Sequence, residues 1–138
     1  MTIRFDTKIA IAVRAGLEPW QKLNVTAFLA SGIAASSGEL IGKPYEDASG
    51  HTYLKLFRQP VVVYAADEQT LAQAHQRALA RAIPMAIYTM EMFQTGGDDD
   101  NRAVVRAVTA GALRFAGLAL HGPRNAVDKV FKGATLHP

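Results

Sequence analysis

Asp6-Thr-Lys-Ile-Ala-Ile-Ala-Val-Arg14, followed by Ala15-Gly16 and then Pro19-Trp20, is the stretch on which the fold turns. Its apolar residues run unbroken from Ile9 to Val13. A strand with one wet face alternates in polarity, whereas a strand covered on both faces has no need to, so a buried strand is predicted here. Gly16 breaks it. Pro19 stands where a helix can begin, because a proline in the first turn gives up no N–H that the helix needs. Leu23, Thr26, Ala27, Ala30, Ile33 and Ala34 then recur at helical spacing. That predicts a helix from Pro19 to Ser36, with Gly38 just past its end.

Working outward, residues 38–58 are irregular, punctuated by Gly38, Gly42, Pro44, Ser49 and Gly50, with His51–Leu56 as a short strand. Val61–Tyr64 reads as a second buried strand. Asp67 is placed to cap a helix, its carboxylate accepting from free N–H groups of the first turn. Leu71, Ala74, Ala78, Leu79 and Ala82 give that helix an apolar stripe, and Pro84 ends it. Met85–Thr89 is the next strand. Gly96 to Asn101 is a loop whose three aspartates precede a helix over Arg102–Thr109, where negative charge suits the helix dipole. Three adjacent aspartates cannot converge on one ion, and no calcium-loop pattern follows, so no metal site is expected. Leu113–Leu120 is a further strand, His121-Gly122-Pro123 a turn, and Asn125–Phe131 a short helix stopped by Gly133. Strands alternating with helices predict an α/β fold: three layers, α/β/α, around a mixed sheet of four to five strands, in a single domain over 1–138.

Composition narrows the function classes. The 138 residues, 49% hydrophobic and 20% charged, suit one globular core. With no cysteine there is no disulfide framework, thiol nucleophile or cysteine metal site. No apolar run approaches the roughly 20 residues that span a bilayer, and the N-terminal charges make a poor signal peptide. No membrane association and a cytoplasmic location are the expectation. The net charge of +3 comes from 15 Lys plus Arg against 12 Asp plus Glu, with the bases scattered. RNA or a small-molecule ligand is permitted as a partner without being demanded. No GxGxxG, GxxxxGK[ST] or GxSxG pattern occurs, and no HxH or HExxH spacing, so no cofactor is expected.

Three stretches carry a family likeness. Lys8 to Leu17 leads into Lys22-Leu-Asn-Val-Thr-Ala-Phe-Leu-Ala30. Pro60 to Ala65 is followed by a helix opening near Asp67, then Pro84 and a strand. Leu118-Ala-Leu-His-Gly-Pro123 is followed by Val127-Asp-Lys-Val130 and Gly133. In this order the chain resembles the type II peptidyl-tRNA hydrolases, most closely an uncharacterised bacterial branch with the Trp20–Ile33 segment. The resemblance implies a peptidyl-tRNA hydrolase II-like fold. Ester hydrolysis on a tRNA needs an activated water, an oxyanion stabiliser and positive charge. Lys22 occupies the place of the family's helix lysine and is the first catalytic candidate.

The family's aspartate falls at Met90, and its Ala-Gly turn is missing from Tyr88-Thr-Met-Glu-Met-Phe-Gln-Thr95. Glu91 is the nearest carboxylate and the second catalytic candidate. The family's helix glutamine appears as Thr26, and its threonine lies near Gln94 or Thr95; Thr26 and Thr95, with His121 at a strand end, are the ligand-binding candidates. The resemblance therefore implies a fold relative that has lost the catalytic aspartate segment and serves as a binding module or a differently active domain. The alternative is hydrolysis of peptidyl-tRNA or a smaller ester through Lys22 and Glu91. Trp20, Phe28, Tyr53, Phe57 and Phe93 are candidates for a cleft or a partner surface, with Trp20 expected to pack into the core. An exposed sheet edge and peripheral aromatics favour a homodimer.

Overall fold

The computed structural model describes residues 4–138, so the first three residues of the expected 1–138 domain lie outside the described residues. In chain order the elements are β1 (Thr7–Arg14), α1 (Pro19–Ser36), β2 (Tyr45–Glu46), β3 (Thr52–Tyr53), β4 (Val61–Ala66), α2 (Glu68–Ala80), β5 (Met85–Thr89), α3 (Asp98–Arg106), β6 (Phe115–Pro123), α4 (Arg124–Val130) and β7 (Thr135–Leu136). The fold is mixed α/β. Five strands form one sheet in the order β5-β6-β1-β4-β7, and β2 and β3 pair as a separate hairpin.

The first strand stands at the middle of the sheet, where its unbroken apolar run places it. The run does alternate, but in size. Ile9, Ile11 and Val13 pack with Val25, Leu29 and Ile33 of α1 on one face. Ala10 and Ala12 pack on the other face with Leu71, Ala74 and Ala78 of α2 and Val127 and Val130 of α4. Helices thus cover both faces of β1, which is why no polar residue interrupts it. β4 is parallel to β1, β6 is antiparallel to β1, and β5 is antiparallel to β6. The carboxyl ends of β1, β4 and β5 therefore share one end of the sheet.

Two glycines set how closely α1 lies on this sheet. Tyr88 pairs with Gly117 but Thr89 pairs with Phe115, so Ala116 is a bulged extra residue in β6. Ala116 packs into the α1-side cluster, and a Cβ on its neighbour Gly117 would meet Val25 and Leu29 of α1. Two successive residues face the same helix, as a bulge requires. A Cβ at Gly32 would lie 2.9 Å from the Ala86 side chain, so α1 also rests directly on β5.

Several expected boundaries move. α3 begins at Asp98, so the aspartates form its first turn instead of preceding it. Arg102 then falls three and four residues after Asp99 and Asp98 and pairs with both, each at 2.6 Å. α2 ends at Ala80, and Ala82 turns left-handed at φ 52°. Leu79 and Ala82 are therefore exposed, and the buried inward place goes to His75, whose ring lies 4.7 Å from that of Phe115. Desolvation by this burial lowers the His75 pKa. β6 does not turn at His121 but runs on to Pro123, because Thr7, Lys8 and Ile9 of β1 pair with Pro123, Gly122 and His121. Only Thr52 and Tyr53 of the expected His51–Leu56 strand are extended in pairing. The Asp67 cap is present, its carboxylate accepting from the Thr70 N–H at 2.8 Å.

Candidate functional site

One side of α1 is not covered by the sheet. Trp20, Asn24 and Phe28 recur every four residues, which places them on one stripe of the helix. The stripe forms one wall of a cleft of about 1030 Å³. The floor comes from Ala86, Ile87 and Tyr88 of β5, and from Met92 and Phe93 of the 3₁₀ turn Met90–Gln94. The facing wall is α3, with Asn101, Arg102, Val105 and Arg106, reached through Gly96 and Gly97.

The aromatic rings hold one another, Trp20–Phe93 and Phe28–Tyr88 edge to face and Tyr88–Phe93 at a tilt. Trp20 meets Phe93 at 6.2 Å, Phe28 meets Tyr88 at 5.7 Å, and Tyr88 meets Phe93 at 5.1 Å between ring centres. Yet Trp20 is 62% exposed and Phe28 52%, so the expectation that Trp20 packs into the core is corrected. A tryptophan two residues into a helix has only half a turn of protein around it, and Phe93 covers just one edge.

Polar groups are few. Asn24 donates a 3.4 Å hydrogen bond to the Tyr88 hydroxyl. Burial raises the Tyr88 pKa against the smaller opposing effect of that bond, so its hydroxyl keeps its proton at neutral pH. Thr95 donates to the Met92 carbonyl at 2.8 Å and makes a short contact with the Asn101 side chain. The one carboxylate in the lining, Asp98, is tied to Arg102. The lining holds no histidine, lysine, serine or glutamate. It therefore carries no nucleophile–base pair of the kind acyl transfer uses. Its chemistry is that of apolar and aromatic contact with a charged rim.

The sequence candidates divide. Thr95 lines the cleft, as do the aromatic candidates Trp20, Phe28 and Phe93. Lys22, Thr26, Glu91 and His121 do not. The Thr26 hydroxyl donates to the Lys22 carbonyl at 2.7 Å, inside the helix. Lys22 and Glu91 form no ion pair with each other. His121 pairs across from Ile9 near the start of β1, at the opposite end from the carboxyl ends of β1, β4 and β5. The reason is strand direction: β6 runs antiparallel, so its carboxyl end points away from theirs. The His121 Nε2 is buried without a partner, and burial lowers its pKa. Tyr53 lies on the β2–β3 hairpin, and Phe57 packs against the α1-side core. Sequence reading passed over Asn24, Tyr88, Asn101, Arg102 and Arg106. The signal for Asn24 was its place midway between Trp20 and Phe28 on one helical stripe.

Among the described residues no group of three His, Asp or Glu side chains could hold a metal ion, and no helix is long and apolar enough to cross a membrane. A family model described as protein of unknown function (DUF2000) matches residues 7–138. Among solved structures, a protein of unknown function from Agrobacterium tumefaciens str. C58 is similar at a TM-score of 0.96 and 50% identity, covering 98% of this chain and 100% of that one. No curated protein matches the chain.

Proposed function

The chain belongs to the DUF2000 family, whose function is unknown, and from that premise we propose that it is a small-molecule-binding domain whose ligand occupies the cleft between α1, β5 and α3. The observation that carries this reading is the Trp20–Asn24–Phe28 stripe, two large aromatic side chains left exposed along a cleft of about 1030 Å³. Leaving such surface in water forgoes about 25 cal/mol for each Å² that could be buried. Contiguous exposed apolar surface of this kind marks ligand or partner sites. Small-molecule sites span roughly 300–1000 Å³ and combine apolar walls with a few placed polar groups, as this cleft does.

The likeness to type II peptidyl-tRNA hydrolases enters this reading as layout: a central strand, a long helix opening at Pro19, and a closing strand that ends at Gly122-Pro123. Hydrolysis through Lys22 and Glu91 stands second, because neither side chain lines the cleft and the two are not paired. A homodimer remains compatible with a site built wholly within one chain.

Trp20 is the one tryptophan of the chain, so its fluorescence reports on this cleft alone. Titration with the uncharged aromatic probe N-phenyl-1-naphthylamine is expected to shift Trp20 emission to the blue in a saturable way. Phe28→Ala, at an exposed position, is expected to weaken binding at least several-fold while the protein stays folded. Unchanged Trp20 emission across the titration rules out the cleft as the site.

A further inference from the structure

The cleft's rim is not electrically neutral. Of the residues that line it, Asp98 is the one acid and Arg102 and Arg106 are the two bases, a balance of two positive charges against one negative. The pairing is also uneven. Arg102 is engaged by Asp98 and Asp99 at 2.6 Å each. Arg106, one turn further along α3, makes no ion pair and no side-chain hydrogen bond among the described residues. It stands at the last turn of α3, beside Val105 and across the cleft from the α1 stripe.

Resting on the reading of the cleft as a ligand site, we propose that its ligand is a small aromatic or otherwise apolar organic anion, its body held by Trp20, Phe28 and Phe93 and its acidic group paired with the Arg106 guanidinium. Three features of the site argue for this class. An arginine fork suits a carboxylate, sulfonate or phosphate oxygen pair, and among the described residues no acid is paired with this one. Asn101, also in the lining, offers an amide that can donate to the same group. The aromatic floor gives a planar body edge-to-face contacts of the kind its own rings already make. A nucleic acid is not favoured, because a single unpaired arginine supplies no track of phosphate contacts.

The test uses a matched pair of probes with one anilinonaphthalene skeleton: N-phenyl-1-naphthylamine, which is uncharged, and 1-anilinonaphthalene-8-sulfonate, which is anionic. Both are titrated against the wild-type chain, Arg106→Ala, and Arg81→Ala, which removes an equal charge from the distant α2 end. Wild type is expected to bind the sulfonate more tightly than the uncharged probe. Arg106→Ala is expected to weaken the sulfonate about tenfold, the size of one charge-assisted hydrogen bond at an open site, and to leave the uncharged probe unchanged. Arg81→Ala is expected to change neither. If Arg106→Ala weakens both probes equally or neither, or if Arg81→Ala matches it, the anion assignment is overturned while the cleft survives as a binding site. If wild type binds neither probe, the cleft reading falls and this inference falls with it.

Discussion

A methyl group at position 117 would lie 2.7 Å from the Ala12 carbonyl oxygen, 2.8 Å from Val25 Cγ1 and 3.0 Å from Leu29 Cδ1. Backbone stands on one side and two fully buried side chains on the other, so none of the three neighbours can yield cheaply. Gly117→Ala is therefore expected to destabilise the protein by about 1–3 kcal/mol, the usual cost of overpacking a core. It is read as a lower urea midpoint at unchanged slope; an unchanged midpoint would contradict the packing described here. Nothing in the sequence marks this glycine, because its constraint comes from Ala12 and Leu29, which are remote along the chain. The Asp67 cap was legible for the opposite reason: its partner is Thr70, three residues away. Arg106 belongs with Gly117. In sequence it is one of several scattered bases, and it gains meaning only once α3 lies opposite Trp20 and Phe28.

Among the elements, α3 is the least secured. None of its side chains is fully buried. It hangs between Gly96-Gly97 on one side and the 3₁₀ turn Ala110–Ala112, which contains Gly111, on the other. Yet it supplies a whole wall of the cleft. A helix with so little buried surface opens locally at low cost, whereas a ligand that contacts only the closed form stabilises it in proportion to occupancy. Amide hydrogens of α3 are expected to exchange much faster than those of β1 and α1, and to slow when the anionic probe is bound. Exchange in α3 as slow as in β1, or unaffected by the probe, would argue against α3 as a wall that the ligand closes. Element boundaries were legible where local chemistry sets them, as at Pro19–Ser36 and Met85–Thr89. They shifted where tertiary pairing decides: β6 extends to Pro123 because β1 lies beside it, and β7 is two residues long, too short for any periodicity to show.

At the scale of the molecule, the unbroken Ile9–Val13 run predicted a strand covered on both faces, and the structure places that strand at the middle of the sheet. The α/β class and the mixed sheet followed from the alternation of strand and helix signals. The cleft did not follow, because it is assembled from three segments, 20–32, 86–93 and 95–106, that meet only through the sheet order and the close seat of α1 on β5. Residues named from a family's motif, such as Lys22 and Glu91, fell outside it. The proposed site rests instead on the exposed stripe, read from geometry. The most direct measurement is the ¹H–¹⁵N spectrum of labelled protein titrated with N-phenyl-1-naphthylamine. The account predicts saturable shifts at the Trp20 indole N–H and at amides along the Trp20–Gly32 face, Tyr88–Phe93 and α3. Shifts gathered elsewhere, as on the exposed Tyr45–Tyr53 hairpin, with the Trp20 indole unmoved, would contradict it.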